Sequence, residues 1–162
     1  MAKRETKMSR TLEVGSKAPD FSCAADGDRQ VSLADYAGKK LVIYFYPKDD
    51  TPGCTTEAIE FTAKHDAFAA ANTEIVGVSA DSVEKHEKFK TKHNLGVTLL
   101  SDPDQKMLEA YGVWVEKNMY GRKYMGIERA TFLVGENGKI LNIWRKVRVK
   151  GHVDAVLEAT VA

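Results

Sequence analysis

Leu41-Val-Ile-Tyr44-Phe-Tyr46-Pro47-Lys-Asp-Asp-Thr51-Pro52-Gly-Cys54-Thr-Thr-Glu57 is the stretch that decides the fold. Leu41 to Tyr46 is a continuous apolar and aromatic run, short enough to predict a buried strand. A helix-start signal follows it. Thr51 stands at the N-cap, Pro52 at the first helical position, and Glu57 within the next turn and a half. Cys54 is then the third helical residue, where unpaired backbone N–H groups and the positive end of the helix dipole converge. That position favours a negatively charged sulfur, and the thiolate is the reactive form of cysteine. A free cysteine without this context would read as a small buried hydrophobe.

Strand followed by helix recurs outward from this point. Ile75–Ser79 reads as a second buried strand, and the segment between carries Ala58, Phe61, Phe68 and Ala69 at helical spacing from Cys54 to about Ala71. A charged helix runs from Ser82 to about His93, capped by Asp81 or Ser82. Val97–Leu100 is a short strand, and Pro103 opens a third helix through Ala110. Ala130–Val134 and Ile140–Trp144 flank Gly135-Glu-Asn-Gly138, a hairpin loop. Gly151-His152 leads into a last helix ending near Thr160. Such alternation predicts an α/β fold, a central mixed sheet flanked by helices. Phe21–Ser22 and Val31–Leu33 add an N-terminal β-hairpin, and a Gly- and aromatic-rich loop spans Val113 to Ile127.

The chain's 162 residues suit one domain, set at 12–162, with residues 1–11 a polar, flexible tail that lacks the apolar core of a secretion signal. The 24 basic and 23 acidic side chains leave a formal charge of +1, which gives no reason to invoke nucleic acid or an acidic membrane surface. No apolar run approaches the roughly 20 residues that span a bilayer. Two cysteines without a pairing pattern do not form a disulfide scaffold. A cytoplasmic protein is the expectation.

Pro47, Thr51 and Cys54 fill the pattern Pro-x-x-x-Thr-x-x-Cys, flanked by Phe45-Tyr46 and Thr55-Thr56-Glu57. This resembles the peroxiredoxin active-site motif, and the chain is most similar to the peroxiredoxin Q (bacterioferritin comigratory protein) group. Val14-Gly-Ser-Lys-Ala-Pro-Asp-Phe21, Tyr111-Gly-Val-Trp114, Met119-Tyr-Gly-Arg-Lys-Tyr-Met-Gly126 and Glu128-Arg-Ala-Thr-Phe-Leu-Val134 also resemble segments of that group. The resemblance implies a thioredoxin-like core and a thiol peroxidase acting on hydrogen peroxide and organic hydroperoxides, with no cofactor. It makes Cys54 the peroxidatic residue, Pro47 its shield, Thr51 a hydroxyl for sulfur and peroxide, and Arg129 the cation beside the sulfur. A guanidinium keeps its charge and offers a rigid fork of donors. Glu57 could orient that fork through a bidentate pair, while Tyr46 reads as a wall residue.

Some members of the group carry a resolving cysteine five residues after the first, where this chain has Ile59, or on the next helix, where Ser82–His93 has none. Cys23 is the remaining candidate, but it alternates with Phe21 onto one strand face and reads as core. The expected cycle therefore has one cysteine: Cys54 becomes a sulfenic acid and is reduced by thioredoxin, glutaredoxin or a small thiol. A monomer or weak homodimer is expected. Two other functions compete. Thiol–disulfide exchange normally needs Cys-x-x-Cys, and Thr51-Pro-Gly-Cys54 has lost the first cysteine; a non-catalytic chaperone or interaction module on a borrowed fold is the other. The histidines form no metal site. His86 and His93 lie two turns apart, about 10 Å. His65, in line with Phe61 and Phe68, reads as packed core, and His152 as structural. Trp114, Tyr120, Tyr124 and Met125 read as an aromatic cover for the core.

Overall fold

The computed structural model describes residues 12–162; the tail expected over 1–11 lies outside the described residues. Among the described residues nine strands and five α-helices follow one another. They are β1 (Ser22–Ala25), β2 (Arg29–Ser32), β3 (Lys40–Phe45), α1 (Pro52–Ala63), α2 (His65–Ala70), β4 (Thr73–Ser79), α3 (Val83–His93), β5 (Thr98–Ser101), α4 (Lys106–Ala110), β6 (Trp114–Met119), β7 (Arg122–Ile127), β8 (Ala130–Val134), β9 (Ile140–Trp144) and α5 (His152–Val161). Seven strands form one sheet in the order β2-β1-β5-β4-β3-β8-β9, and β6 pairs with β7 in a separate ribbon. β3, β4 and β5 run parallel, while β8 and β9 at one side and β1 and β2 at the other are antiparallel. The expected mixed sheet is present, and the N-terminal hairpin is its edge rather than an appendage.

β3 is buried along nearly its whole length because both sheet faces are covered. Its alternation divides the core. Leu41, Ile43 and Phe45 join Val76, Phe132, Met107, Leu108 and Tyr111 on one face. Val42, Tyr44 and Tyr46 join Cys54, Ala58, Phe61, Phe68, Phe89 and Val156 on the other. Tyr44 lies across β4 at Gly77, where a Cβ would stand 2.7 Å from the tyrosine ring. Only glycine permits that approach.

Several local expectations are corrected. The helix expected from Cys54 to Ala71 is two, α1 and α2. Lys64 leaves helical geometry and its N–H divides between the Glu60 and Phe61 carbonyls, each at 3.2 Å, with no Gly or Pro to mark the break. Past it, Ala69 is exposed, and so is His65 rather than packed in the core. α4 begins at Lys106, not Pro103, with the Leu108 N–H donating to Asp102 at 2.8 Å. The stretch Val113 to Ile127 is a β-ribbon turning at Tyr120-Gly121, both at positive φ. It projects: Tyr120, Tyr124 and Met125 are exposed, and of the four residues expected as cover only Trp114 packs against the core. Leu33 starts a short 3-10 turn instead of ending β2. Ser82, one of the two expected caps, accepts from the Lys85 N–H at 3.2 Å.

His152 opens α5 and reaches the sheet, its Nε2 2.8 Å from the Thr131 hydroxyl, with Phe61 and Trp144 edge-on to its ring. Burial, aided by the charge of Arg129, pushes the imidazole down to about 4 from 6.5. A folded-state value below the unfolded one means that neutral His152 contributes fully above about 6.5 and loses that contribution as pH falls towards 4. Melting temperatures at pH 7 and pH 4.5 should therefore differ less in His152→Gln than in the wild type. An unchanged difference would contradict this assignment.

Candidate active site

Cys54 occupies the third position of α1, as the sequence predicts. Thr51 is the N-cap with extended backbone (φ −96°, ψ 157°), and the first helical bond runs from the Thr55 N–H to the Thr51 carbonyl at 2.8 Å. The Gly53 and Cys54 N–H groups precede that bond and have no acceptor within the helix. The Thr51 hydroxyl does not cap them. It donates to the Lys48 carbonyl at 2.8 Å, which ties the loop to the helix start and leaves the oxygen's lone pairs as acceptors. The hydroxyl proton is therefore not on the sulfur here, contrary to one half of the role expected for Thr51. Pro47 follows β3 and is exposed.

Cys54 is only 1% exposed and belongs to the core face of Tyr44 and Tyr46. Arg129 reaches it from a distant part of the chain. β3 and β8 pair antiparallel with Phe45 opposite Ala130, so the residue before Ala130 comes level with the end of β3, where the loop to α1 begins. The Val147 N–H fixes this point by donating to the Arg129 carbonyl at 2.9 Å. From there Arg129 Nη2 lies 3.4 Å from Cys54 Sγ, and Nη1 donates to Glu57 Oε1 at 2.7 Å. The bidentate Glu57–Arg129 pair that seemed possible is thus monodentate, because the fork serves two acceptors. Glu57, one helical turn after Cys54, is fully buried, and its Oε2 finds no hydrogen-bond partner among the described residues. Burial pushes this carboxyl up to about 7 against the pull of Arg129. For Arg129 burial works against the charge, but Glu57 and Cys54 outweigh it and raise the guanidinium above its ordinary value.

Three contributors carried no readable signal. Gly53 makes room for the guanidinium, since a Cβ there would stand 3.1 Å from Arg129 Nη2; the sequence shows only a glycine in a helical first turn. Lys117 on β6 sits near enough to Arg129 that burial, and then that like charge, lowers its ammonium below the usual value. Asp49 anchors the loop from beneath, and its significance depends on His86 of α3. Tyr46 is a buried wall residue that also donates to Asp49 at 2.6 Å.

Cys23 is not brought to this site. It is buried among Phe21, Val31, Leu41 and Ile43, the face opposite Cys54, and its Sγ lies 3.8 Å from Met107 Sδ. β1 stands three strands from β3, roughly 14 Å at ordinary strand spacing. Burial and then Asp102 push its thiol up to about 11, so at neutral pH it is not a nucleophile. Ile59, at the position of a near-neighbour resolving cysteine, is exposed.

The chain matches known proteins over most of its length. The AhpC/TSA family matches over residues 14–143. Peroxiredoxin Bcp of Bacillus subtilis is 53% identical over 148 residues, 91% of this chain and 94% of that protein. The putative peroxiredoxin bcp of Coxiella burnetii is 51% identical over 147 residues, 91% of this chain and 97% of its own length. A structure of the Xanthomonas campestris bacterioferritin comigratory protein, studied for alkyl peroxide reduction, superposes with a TM-score of 0.87 at 44% identity, covering 92% of this chain and 98% of that one. The chain belongs to the AhpC/TSA family, in its peroxiredoxin Q or Bcp group of thiol-dependent peroxidases. Among the described residues no helix is long and apolar enough to cross a membrane.

Gly53→Ala should displace the Arg129 fork from the sulfur. The fork must give by a few tenths of an ångström, and misplacement by a full ångström can cost about 100-fold in rate, so oxidation of Cys54 by hydrogen peroxide, followed by stopped flow, should slow about threefold or more. A rate within twofold of wild type would mean that this close approach is not needed.

Proposed function

We propose that this chain reduces hydrogen peroxide and small organic hydroperoxides in a one-cysteine cycle, with Cys54 as nucleophile, Arg129 and Thr51 holding the peroxide, Glu57 orienting Arg129, and Pro47 shielding the sulfur. The observation that carries the reading is the guanidinium spanning Cys54 and Glu57 at 3.4 and 2.7 Å. Ionised Cys54 attacks the terminal peroxide oxygen. An S–O bond forms as the O–O bond breaks, the sulfur is oxidised to sulfenic acid, and the second oxygen leaves as hydroxide or alkoxide, to be protonated to water or alcohol. Charge grows on both oxygens along that path, and preorganised donors are worth most where charge develops. Arg129 supplies such a donor, and the free lone pairs of the Thr51 hydroxyl can accept from the peroxide O–H. Alkyl peroxide reduction is the activity for which the related Xanthomonas protein was studied, and it supports organic hydroperoxides as substrates here.

Closing the cycle needs two electrons from outside. A thiol attacks the sulfenic sulfur and expels water, and a second thiol releases Cys54 from the mixed disulfide. Thioredoxin, glutaredoxin or a small thiol fits that role. Burial of Cys23 on the opposite core face, and an isoleucine at position 59, support an external reductant over an internal one. Two free thiols suit a reducing compartment and hence the cytoplasm. We place the working unit as a monomer or weak homodimer.

Peroxide consumption in the presence of a thiol reductant should vanish in Cys54→Ser and persist within about twofold in Cys23→Ser. After one equivalent of peroxide, intact mass and peptide mapping should find a single oxygen, trappable by dimedone, on Cys54. A Cys23–Cys54 disulfide formed at the rate of peroxide reduction would overturn the one-cysteine cycle.

A further inference from the structure

Asp49 and Asp50, two of the three residues between Pro47 and Thr51, are each fastened to a different turn of α3. Asp50 faces outward with φ at 62°, a left-handed conformation uncommon for a residue with a side chain. It accepts from Lys92 Nζ and pairs with His93 Nε2, both at 2.8 Å. Asp49 faces inward and is buried. Its Oδ1 accepts from the Tyr46 hydroxyl at 2.6 Å, its Oδ2 lies 2.7 Å from His86 Nδ1, and its backbone N–H donates to Asp81 Oδ2 at 2.8 Å. The loop is therefore held from both sides by one helix.

The hydrogen-bond arithmetic of the inner contact is restrictive. His86 is fully buried, with Nδ1 against the Asp49 carboxylate and Nε2 2.8 Å from the Leu100 carbonyl, an acceptor only. Nε2 must donate, and towards an ionised carboxylate Nδ1 must donate as well. A neutral imidazole cannot do both. The groups facing His86 from other elements are the Asp49 carboxylate of the loop, the Leu100 carbonyl of β5 and, through Asp49, the Tyr46 hydroxyl just after β3 and the Asp81 carboxylate after β4. Burial first, then Tyr44 and Asp49, raises the Tyr46 hydroxyl well above its usual range, so it stays a proton donor. Asp81 is itself supported by the Ser79 hydroxyl at 2.7 Å and by Lys85 at 4.0 Å.

We propose that His86 is a buried imidazolium whose ion pair with Asp49 makes the two positioning residues of the peroxidase: they fix the loop that sets the direction of α1 and so the place of Cys54 relative to Arg129. In the loop between Tyr46 and Thr51, Pro47, Lys48 and Asp50 are exposed and Asp49 is the residue buried beneath it. Removing one member of a buried charged pair strands the other, which is far costlier than the pair itself is stabilising. Loss of the Asp49 carboxylate therefore removes the loop's buried side-chain anchor, leaves the ties of Asp50 and of the Asp49 backbone N–H, and reaches Cys54 without touching it. An asparagine at 49 can keep the contacts to His86 and Tyr46 with one proton fewer on the imidazole ring. Its amide N–H donates to a neutral Nδ1, its carbonyl accepts from Tyr46, and His86 Nε2 still donates to Leu100.

This inference rests on the peroxidase reading for its kinetic arm and is independent of it in its spectroscopic arm. Single-turnover oxidation of Cys54 by hydrogen peroxide at pH 7 should slow at least tenfold in Asp49→Ala and stay within threefold of wild type in Asp49→Asn. In protein carrying 15N-labelled histidine, both ring nitrogens of His86 should be protonated in the wild type, and only Nε2 in Asp49→Asn. Asp49→Ala within threefold of wild type, Asp49→Asn as slow as Asp49→Ala, or an unprotonated Nδ1 in the wild type would each overturn the proposal. If Asp49→Ala does not fold, the spectra of the wild type and Asp49→Asn decide it. A wild type that leaves peroxide unconsumed would refute the peroxidase reading and leave the protonation of His86 to be read on its own.

Discussion

A guanidinium shared between a carboxylate and a sulfur is the constraint on which the rest of this structure depends. Arg129 can reach Cys54 only because β8 lies antiparallel beside β3 with Ala130 opposite Phe45, and because α1 starts a few residues beyond the end of β3. A slip of one residue in that register would turn the β8 side chains to the other face of the sheet. The sheet is thus a measuring device as much as a core: its pairing sets the 3.4 Å between Nη2 and Sγ.

Holding these groups below the surface opposes stability in places. Glu57 is fully buried with one oxygen unpaired among the described residues, and desolvation raises its carboxyl despite the adjacent cation. A buried ion pair is weak evidence for stability, since desolvation offsets much of its attraction. The placement makes sense as positioning instead. Glu57 takes one arm of the fork and leaves the other turned to the sulfur. Gly53, without a Cβ, lets the fork approach over the first turn of the helix. The loop before it is pinned from α3 through Asp49 and Asp50, so the cysteine end and the arginine end of the site rest on separate, well-packed elements.

Much of this was legible in the sequence, and the limits are physical. The buried strand, the Thr51–Pro52 helix start and the place of Cys54 follow from local chemistry, because capping and proline geometry act over a few residues. The two central strands, the β8–β9 hairpin and the last helix were legible for the same reason. Arg129 was reached by resemblance alone, since no local pattern reveals which of 24 basic residues crosses the fold to meet a sulfur. The ribbon β6–β7 carries no strand signal in the sequence because, where a strand pair projects, apolar alternation gives way to exposed charged and aromatic side chains. His65 was misread because helical spacing was continued through Lys64, where the axis breaks without a glycine or proline. Asp49 and His86 form a pair 37 residues apart, which appears only once α3 is packed on the sheet.

The central claim is that the planar fork of Arg129, and not merely a positive charge near Cys54, makes the sulfur a fast peroxide reductant. Arg129→Lys tests it most directly, since an ammonium keeps the charge and loses the fork that spans Glu57 and Cys54. The measurement is the second-order rate constant for Cys54 oxidation by hydrogen peroxide under pre-steady-state conditions. Loss of a preorganised donor at a site of developing charge typically costs about 100-fold or more, and a fall of that size is the predicted result. A constant within threefold of wild type would contradict the account.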